Sequence, residues 1–162
     1  APADDNEPFA PEAAPRRERR MRVALLERLI LTLAQFPKVI QKAPLPPGIE
    51  ELDEPLLDCL IELTDILGEN PDTPAAALLG RLMAMDQGEL VTEVMHQSER
   101  ISRTPESAEQ EWHDGMLNLA VVRLERQLAR EEQAPQADIQ RIASLHQELA
   151  ELRNRQRSAR SD

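Results

Sequence analysis

Aromatic side chains are almost missing from this chain: it has no Tyr, one Trp and two Phe. Sandwiches and barrels fill their pleated surfaces with aromatic and β-branched residues, so this scarcity argues against both. Glycine is also sparse, at five residues, while Leu, Ala, Glu, Gln and Arg are abundant, and the expected fold class is all-α. One cysteine, Cys59, rules out an internal disulfide framework and points to a reducing, cytoplasmic compartment. No apolar run approaches the roughly 20 residues needed to cross a bilayer, and no signal peptide opens the chain, so no membrane partner is expected. The first residue is Ala rather than Met, as in a piece excised from a longer protein or a chain whose initiator Met is removed.

Charge of one sign is missing locally. From Ala43 to Gly80 there is no Lys or Arg, whereas Glu50, Glu51, Asp53, Glu54, Asp58, Glu62, Asp65, Glu69 and Asp72 fall in that stretch, within a net charge of -11. Such a surface repels phosphate backbones. Basic clusters occur only at Arg16 to Arg22 and Arg153 to Arg160. Each could be a contact for nucleic acid or an acidic partner. The reading preferred here is a linker flank for the first, and for the second a helix C-terminus favoured by the macrodipole. With no aromatic stacking set and no basic recognition helix, no direct nucleic-acid contact is expected.

What is present is helical periodicity. Residues 1–15 hold Pro2, Pro8, Pro11 and Pro15 with Phe9 as the one bulky apolar group, and are expected to be a disordered linker. A first helix is expected from about Arg16 to Gln35, with Met21, Leu25, Leu29 and Leu33 joined by Leu26 and Ile30 on its apolar face, and Pro37 limits it. After a proline-rich loop at Ala43 to Gly48, Asp53 is expected to cap a helix carrying Leu56 through Leu67, ended by Gly68 and Pro71. Thr73 and Pro74 open a short helix with Leu78, Leu79, Leu82 and Met83, and Asp86 caps the next, with Leu90, Val91, Val94 and Met95. The contiguous core is expected from Leu26, Leu29, Leu60, Leu63, Leu79 and Leu82.

Two long helices follow, broken at Glu132-Gln133-Ala134-Pro135. The first opens on Thr104 as N-cap with Pro105 at its first position. Trp112, Met116, Leu119 and Arg123 share one face and Leu117, Val121, Leu124 and Leu128 another, so that between Met116 and Leu124 the helix is apolar on almost every side. A helix of that kind is usually buried between two bodies. The second helix, for whose start Pro135 is suited, carries a narrow seam at Ile139, Ile142, Leu145, Leu149 and Leu152, about two heptads long and too short for an independent coiled coil. The architecture expected is a bundle of short helices at residues 16–103, then a long-helix hairpin at 104–157 whose first helix is shared with the bundle, then a disordered tail at 158–162. The apolar residues of the hairpin exceed what two helices can bury, so the hairpin is expected to be presented to something else.

Catalytic chemistry finds no support. Glu93 and His96 have the Glu-x-x-His spacing of carboxylate-bridged di-iron bundles, but no second copy exists, and His96 is read as a polar rim residue. His113 and His146 lack cysteine or clustered carboxylate neighbours, which leaves them as packing or interface groups. Cys59 lies on an apolar helix face and reads as a small core residue. No phosphate loop, nucleophile elbow or dinucleotide fingerprint occurs. A metal-dependent helical enzyme is the weakest of the readings, and no cofactor is expected in this stretch.

The segment Arg19-Arg20-Met21-Arg22-Val23-Ala24-Leu25-Leu26, the Ala34-Gln35-Phe36-Pro37 that ends the first helix, and Leu145-His146-Gln147-Glu148-Leu149-Ala150 near the end together resemble the C-terminal helicase-binding domain of bacterial DnaG-type DNA primases. The resemblance spans about residues 16 to 157 in order and helix count. It implies a bundle and hairpin that dock on the N-terminal domains of the hexameric replicative helicase, DnaB-type, at the replication fork. It places a zinc-binding, template-reading domain and a magnesium-dependent RNA polymerase core upstream in the parent chain, with residues 1–15 as the end of the tether. Gln147 matches the family's terminal-helix Gln and is the leading helicase contact, with His146, Glu148, Glu151 and Arg153 beside it. Glu151-Leu152 and the arginine-rich extension depart from relatives that stop at a short basic end. Another all-helical adaptor of the replication machinery is the alternative.

Overall fold

The computed structural model describes residues 13–98 and 103–161. Six α-helices run in order: α1 Ala13–Gln35, α2 Pro55–Glu69, α3 Ala75–Met83, α4 Gly88–Ser98, α5 Pro105–Gln133 and α6 Ile139–Ser161. Two 3-10 turns, Pro37–Gln41 and Ile49–Leu52, lie between α1 and α2, and no strand occurs among the described residues. The all-α expectation holds.

The bundle core gathers one face from each early helix. Leu26, Leu29, Ile30 and Leu33 of α1 meet Leu56, Leu57, Leu60, Leu63 and Leu67 of α2, Leu78 and Leu82 of α3 and Val91 of α4. Cys59 is fully buried among them, as its setting predicts. Burying a Leu side chain contributes about 1.5–3 kcal/mol, so these faces are what hold helices too short to stand alone. Leu78, rather than Leu79, is the α3 residue that is fully buried beside Leu82. Met21 is 66% exposed, because α1 outruns the helices that cover its later turns.

Several helix starts differ from expectation. Asp53 does not cap α2. It takes a left-handed backbone conformation, φ 49°, and Glu54 is the extended N-cap, as suits a residue before Pro55. Glu54 is 7% exposed and receives Arg22 Nε at 3.0 Å, so one arginine of the first basic cluster is consumed inside the fold. Thr73 is not the cap of α3 either: its hydroxyl donates back to the Asn70 carbonyl at 2.6 Å, and α3 begins after Pro74. The chain turns once more beyond Asp86, with Gly88 N–H on the Met85 carbonyl, before α4 begins. α1 begins at Ala13, inside the stretch expected as linker; residues 1–12 lie outside the described residues.

Thr104 is the N-cap of α5 as expected, accepting from Ser107 N–H at 3.2 Å. Just before it, Arg103 reaches Glu111 at 2.5 Å and Thr32 Oγ1 at 2.9 Å, fastening the start of α5 to α1. Gly115 permits the close crossing of those two helices, since a Cβ there would lie 2.3 Å from Leu29 Cδ2. α5 then serves two cores. Ala108, Trp112, Met116 and Leu119 complete the bundle, whereas Val121, Leu124 and Leu128 form a separate cluster with α6. The all-round apolar stretch is thus where one helix passes between two bodies.

The hairpin and its outer face

α5 has 29 residues, about 44 Å at 1.5 Å per residue, and its second half extends beyond the bundle core. Against that half α6 runs antiparallel. Glu131 receives Arg141 Nε at 2.8 Å, Glu125 receives Arg153 Nη2 at 2.7 Å, and Asn118 receives Gln156 Nε2. Between these polar ties Val121, Leu124 and Leu128 pack on Leu145 and Leu149, with Ile142 and Leu152 partly buried at the edges.

The seam is longer than sequence suggests. Ile142, Leu145, Leu149, Leu152, Gln156 and Ala159 alternate steps of three and four, and all are buried or partly buried. This is a heptad pattern whose last turns are polar or small. α6 therefore continues as helix to Ser161, across residues expected as a tail. Ile139 was expected in the seam but is 81% exposed, because α5 has already ended at Gln133 and offers nothing opposite it. The start of α6 is set by Asp138, whose Oδ1 accepts from Gln140 N–H at 3.1 Å and Arg141 N–H at 3.2 Å. Pro135 lies just past the end of α5, at the start of the connection, and the cap of α6 is Asp138.

The five residues expected to touch a partner divide into two groups. Gln147, Glu148 and Glu151 are exposed and lie within four residues of one another on α6, with Gln147 opposite the seam. His146 and Arg153 flank the seam instead, His146 Nε2 within 3.3 Å of Glu132 Oε1 and Arg153 on Glu125. His96 and His113 are exposed, and no group of His, Cys, Asp and Glu among the described residues is arranged to hold a metal ion.

Far apart in sequence, the two basic clusters converge in space. A groove of about 600 Å³ between α1 and the hairpin is lined by Met21, Leu25, Val121 and Val122 and by Arg22, Arg28, Arg153 and Arg160. Arg22 and Arg153 are engaged by Glu54 and Glu125.

A bundle on which one long helix continues into an antiparallel hairpin is the architecture the resemblance implies. The family model described as DNA primase DnaG DnaB-binding matches residues 26–152, from the core of α1 to the last leucine of the α6 seam. The chain belongs to this DnaB-binding family of DnaG primase. No curated protein and no solved structure matches it. The match runs through bundle and hairpin alike, which sets aside the reading as another all-helical adaptor. As a member of this family the chain is a helicase-binding domain. No helix among the described residues is long and apolar enough to cross a membrane.

Proposed function

We propose that the α5–α6 hairpin is the arm by which this DnaB-binding domain grips the helicase, with Gln147, Glu148 and Glu151 as the contact face. One observation carries this reading. The leucines of α6 are spent on α5, yet its outer face is left exposed on a helix held by a cap at one end and polar ties along its length. A rigid exposed helix face presents polar contacts at little ordering cost. The partner surface is the N-terminal domains of the hexameric ring, and the parent chain is a primase whose zinc and magnesium sites lie in other domains. A tether ahead of the bundle then keeps the polymerase core near the unwound strand in the cytoplasm, raising its effective concentration there.

The two-part organisation, bundle then hairpin, supports this division of labour. Calorimetric titration of the helicase with Gln147→Ala and with Glu148→Ala/Glu151→Ala is the test. Affinity should fall for both while Asp65→Ala, on the exposed face of α2, leaves it unchanged. Equal affinity for all four proteins would move the contact elsewhere.

A further inference from the structure

The stripe of α5 that carries Trp112, Met116 and Leu119 into the bundle core continues along its second half as arginines. Arg123, Arg126 and Arg130 lie at steps of three and four on its half beyond the bundle, and all three reach the segment Gly48 to Leu52. Arg126 Nη1 donates to the Leu52 carbonyl oxygen, and Leu52 itself is buried in the bundle core. Arg130 lies against Glu51, 3.5 Å from its carbonyl oxygen and 3.8 Å from its carboxylate. Arg123 lies over Gly48, where a Cβ would come within 2.6 Å of its Nε. Gly48 has φ 77°, so this residue gives both the left-handed turn and the space for the guanidinium. The Arg123 Nε is buried with no hydrogen-bond partner among the described residues, a cost that folds seldom retain without a reason.

We propose that these three arginines are a brace that sets the angle at which the hairpin leaves the bundle, acting as positioning residues for helicase binding. The physical need is plain. Beyond Val122, which still packs on the bundle core, the apolar contacts of α5 turn to α6, so its angle to the bundle is set by what else touches it there. On the other side, where the end of α6 nears α1, a cavity of about 200 Å³ lined by Leu25, Leu117, Arg28, Asp114, Gln156 and Arg160 separates them. The 48–52 segment, with Ile49 and Leu52 seated in the bundle core, gives α5 a fixed support on the arginine side, and its acidic neighbourhood suits an arginine ladder. The inference rests on the reading of the hairpin as the docking arm.

The test separates the two. Spin labels at Asp65→Cys on α2 and Ser144→Cys on α6, in a Cys59→Ala background, report the hairpin angle without any helicase. In Arg123→Ala/Arg126→Ala the distance distribution should broaden while the thermal transition stays cooperative, and helicase affinity should fall. If the braced pose is then populated about one-tenth of the time, apparent affinity drops about tenfold. Arg126→Lys, which keeps one donor, should lie between the two. A distribution as narrow as the native one overturns the brace, and a broadened one with native affinity overturns its role in binding. Should the double variant lose its cooperative melt, Arg126→Lys carries the same two readouts. Failure of Gln147→Ala to change affinity would sink the docking reading alone, since the label distances test the brace independently.

Discussion

Trp112 of α5 donates its indole N–H to the carbonyl oxygen of Ala43 at 2.8 Å, tying the long helix to the loop between the two 3-10 turns from a fully buried position. The chain's single Trp is therefore anchored at the point where the hairpin's first helix enters the bundle. Trp112→Phe leaves the Ala43 carbonyl without that partner, which costs about 1–3 kcal/mol, plus the loss of packing. The expected outcome is a lower denaturation midpoint in urea with a single transition. A midpoint equal to that of the native protein would show that water replaces the bond.

Leu149 is 4% exposed in the hairpin cluster, whereas Gln147 two residues earlier points away from it. Leu149→Ala should destabilise the hairpin by about 2–5 kcal/mol. Gln147→Ala should stay within about 0.5 kcal/mol of native. Thermal melts beside a helicase titration distinguish them: the first variant melts early, the second binds weakly while melting normally. The reverse pairing would mean that the faces of α6 are exchanged.

Removing everything after Gln133 strips Leu145 and Leu149 from Val121, Leu124 and Leu128 but leaves the bundle cluster, Trp112 included, whole. The shortened chain should keep a cooperative transition by Trp fluorescence and lose helicase binding. A truncated chain that melts without cooperativity would show that α6 is needed to hold the bundle.

The Cys59 thiol is pushed above its ordinary pKa first by burial and then by the neighbouring Asp58 carboxylate. A raised folded-state pKa means that the folded protein holds the proton more tightly than the unfolded chain. This contribution is fully present below the unfolded pKa and is lost as pH rises through the folded one. Stability should accordingly decline in alkaline solution, and less so in Cys59→Ala measured against its own neutral value. At neutral pH, alkylation of Cys59 should proceed only at the rate at which the bundle opens; fast alkylation of the folded protein would contradict its burial.

Much of the fold can be read from the residues. Periodic leucines mark α2 and α5, Thr104 and Pro105 mark the start of α5, and the apolar girdle from Met116 to Leu124 announces a helix between two bodies. Helix starts are where reading failed, at Asp53, Thr73, Asp86 and Pro135. Several side chains near each start can offer an oxygen, and the one used depends on where neighbouring turns place the chain, as Asn70 does with Thr73 and Asp72. The candidate contact face at Gln147 came from resemblance and from its angle to Leu145 and Leu149, and the structure leaves it exposed.

By itself the sequence determined that this protein is helical, that it separates into short helices and a long pair, and that its apolar excess sits at the junction. These are properties of spacing, carried by each segment alone. Only the tertiary structure decided that α6 runs on to Ser161, that Ile139 is exposed, that the two basic clusters meet, and that Arg123, Arg126 and Arg130 reach Gly48 to Leu52. Each of these depends on what another segment, tens of residues away, places opposite. An arginine on a helix reads as solvated until a carbonyl from a distant turn is set within its reach.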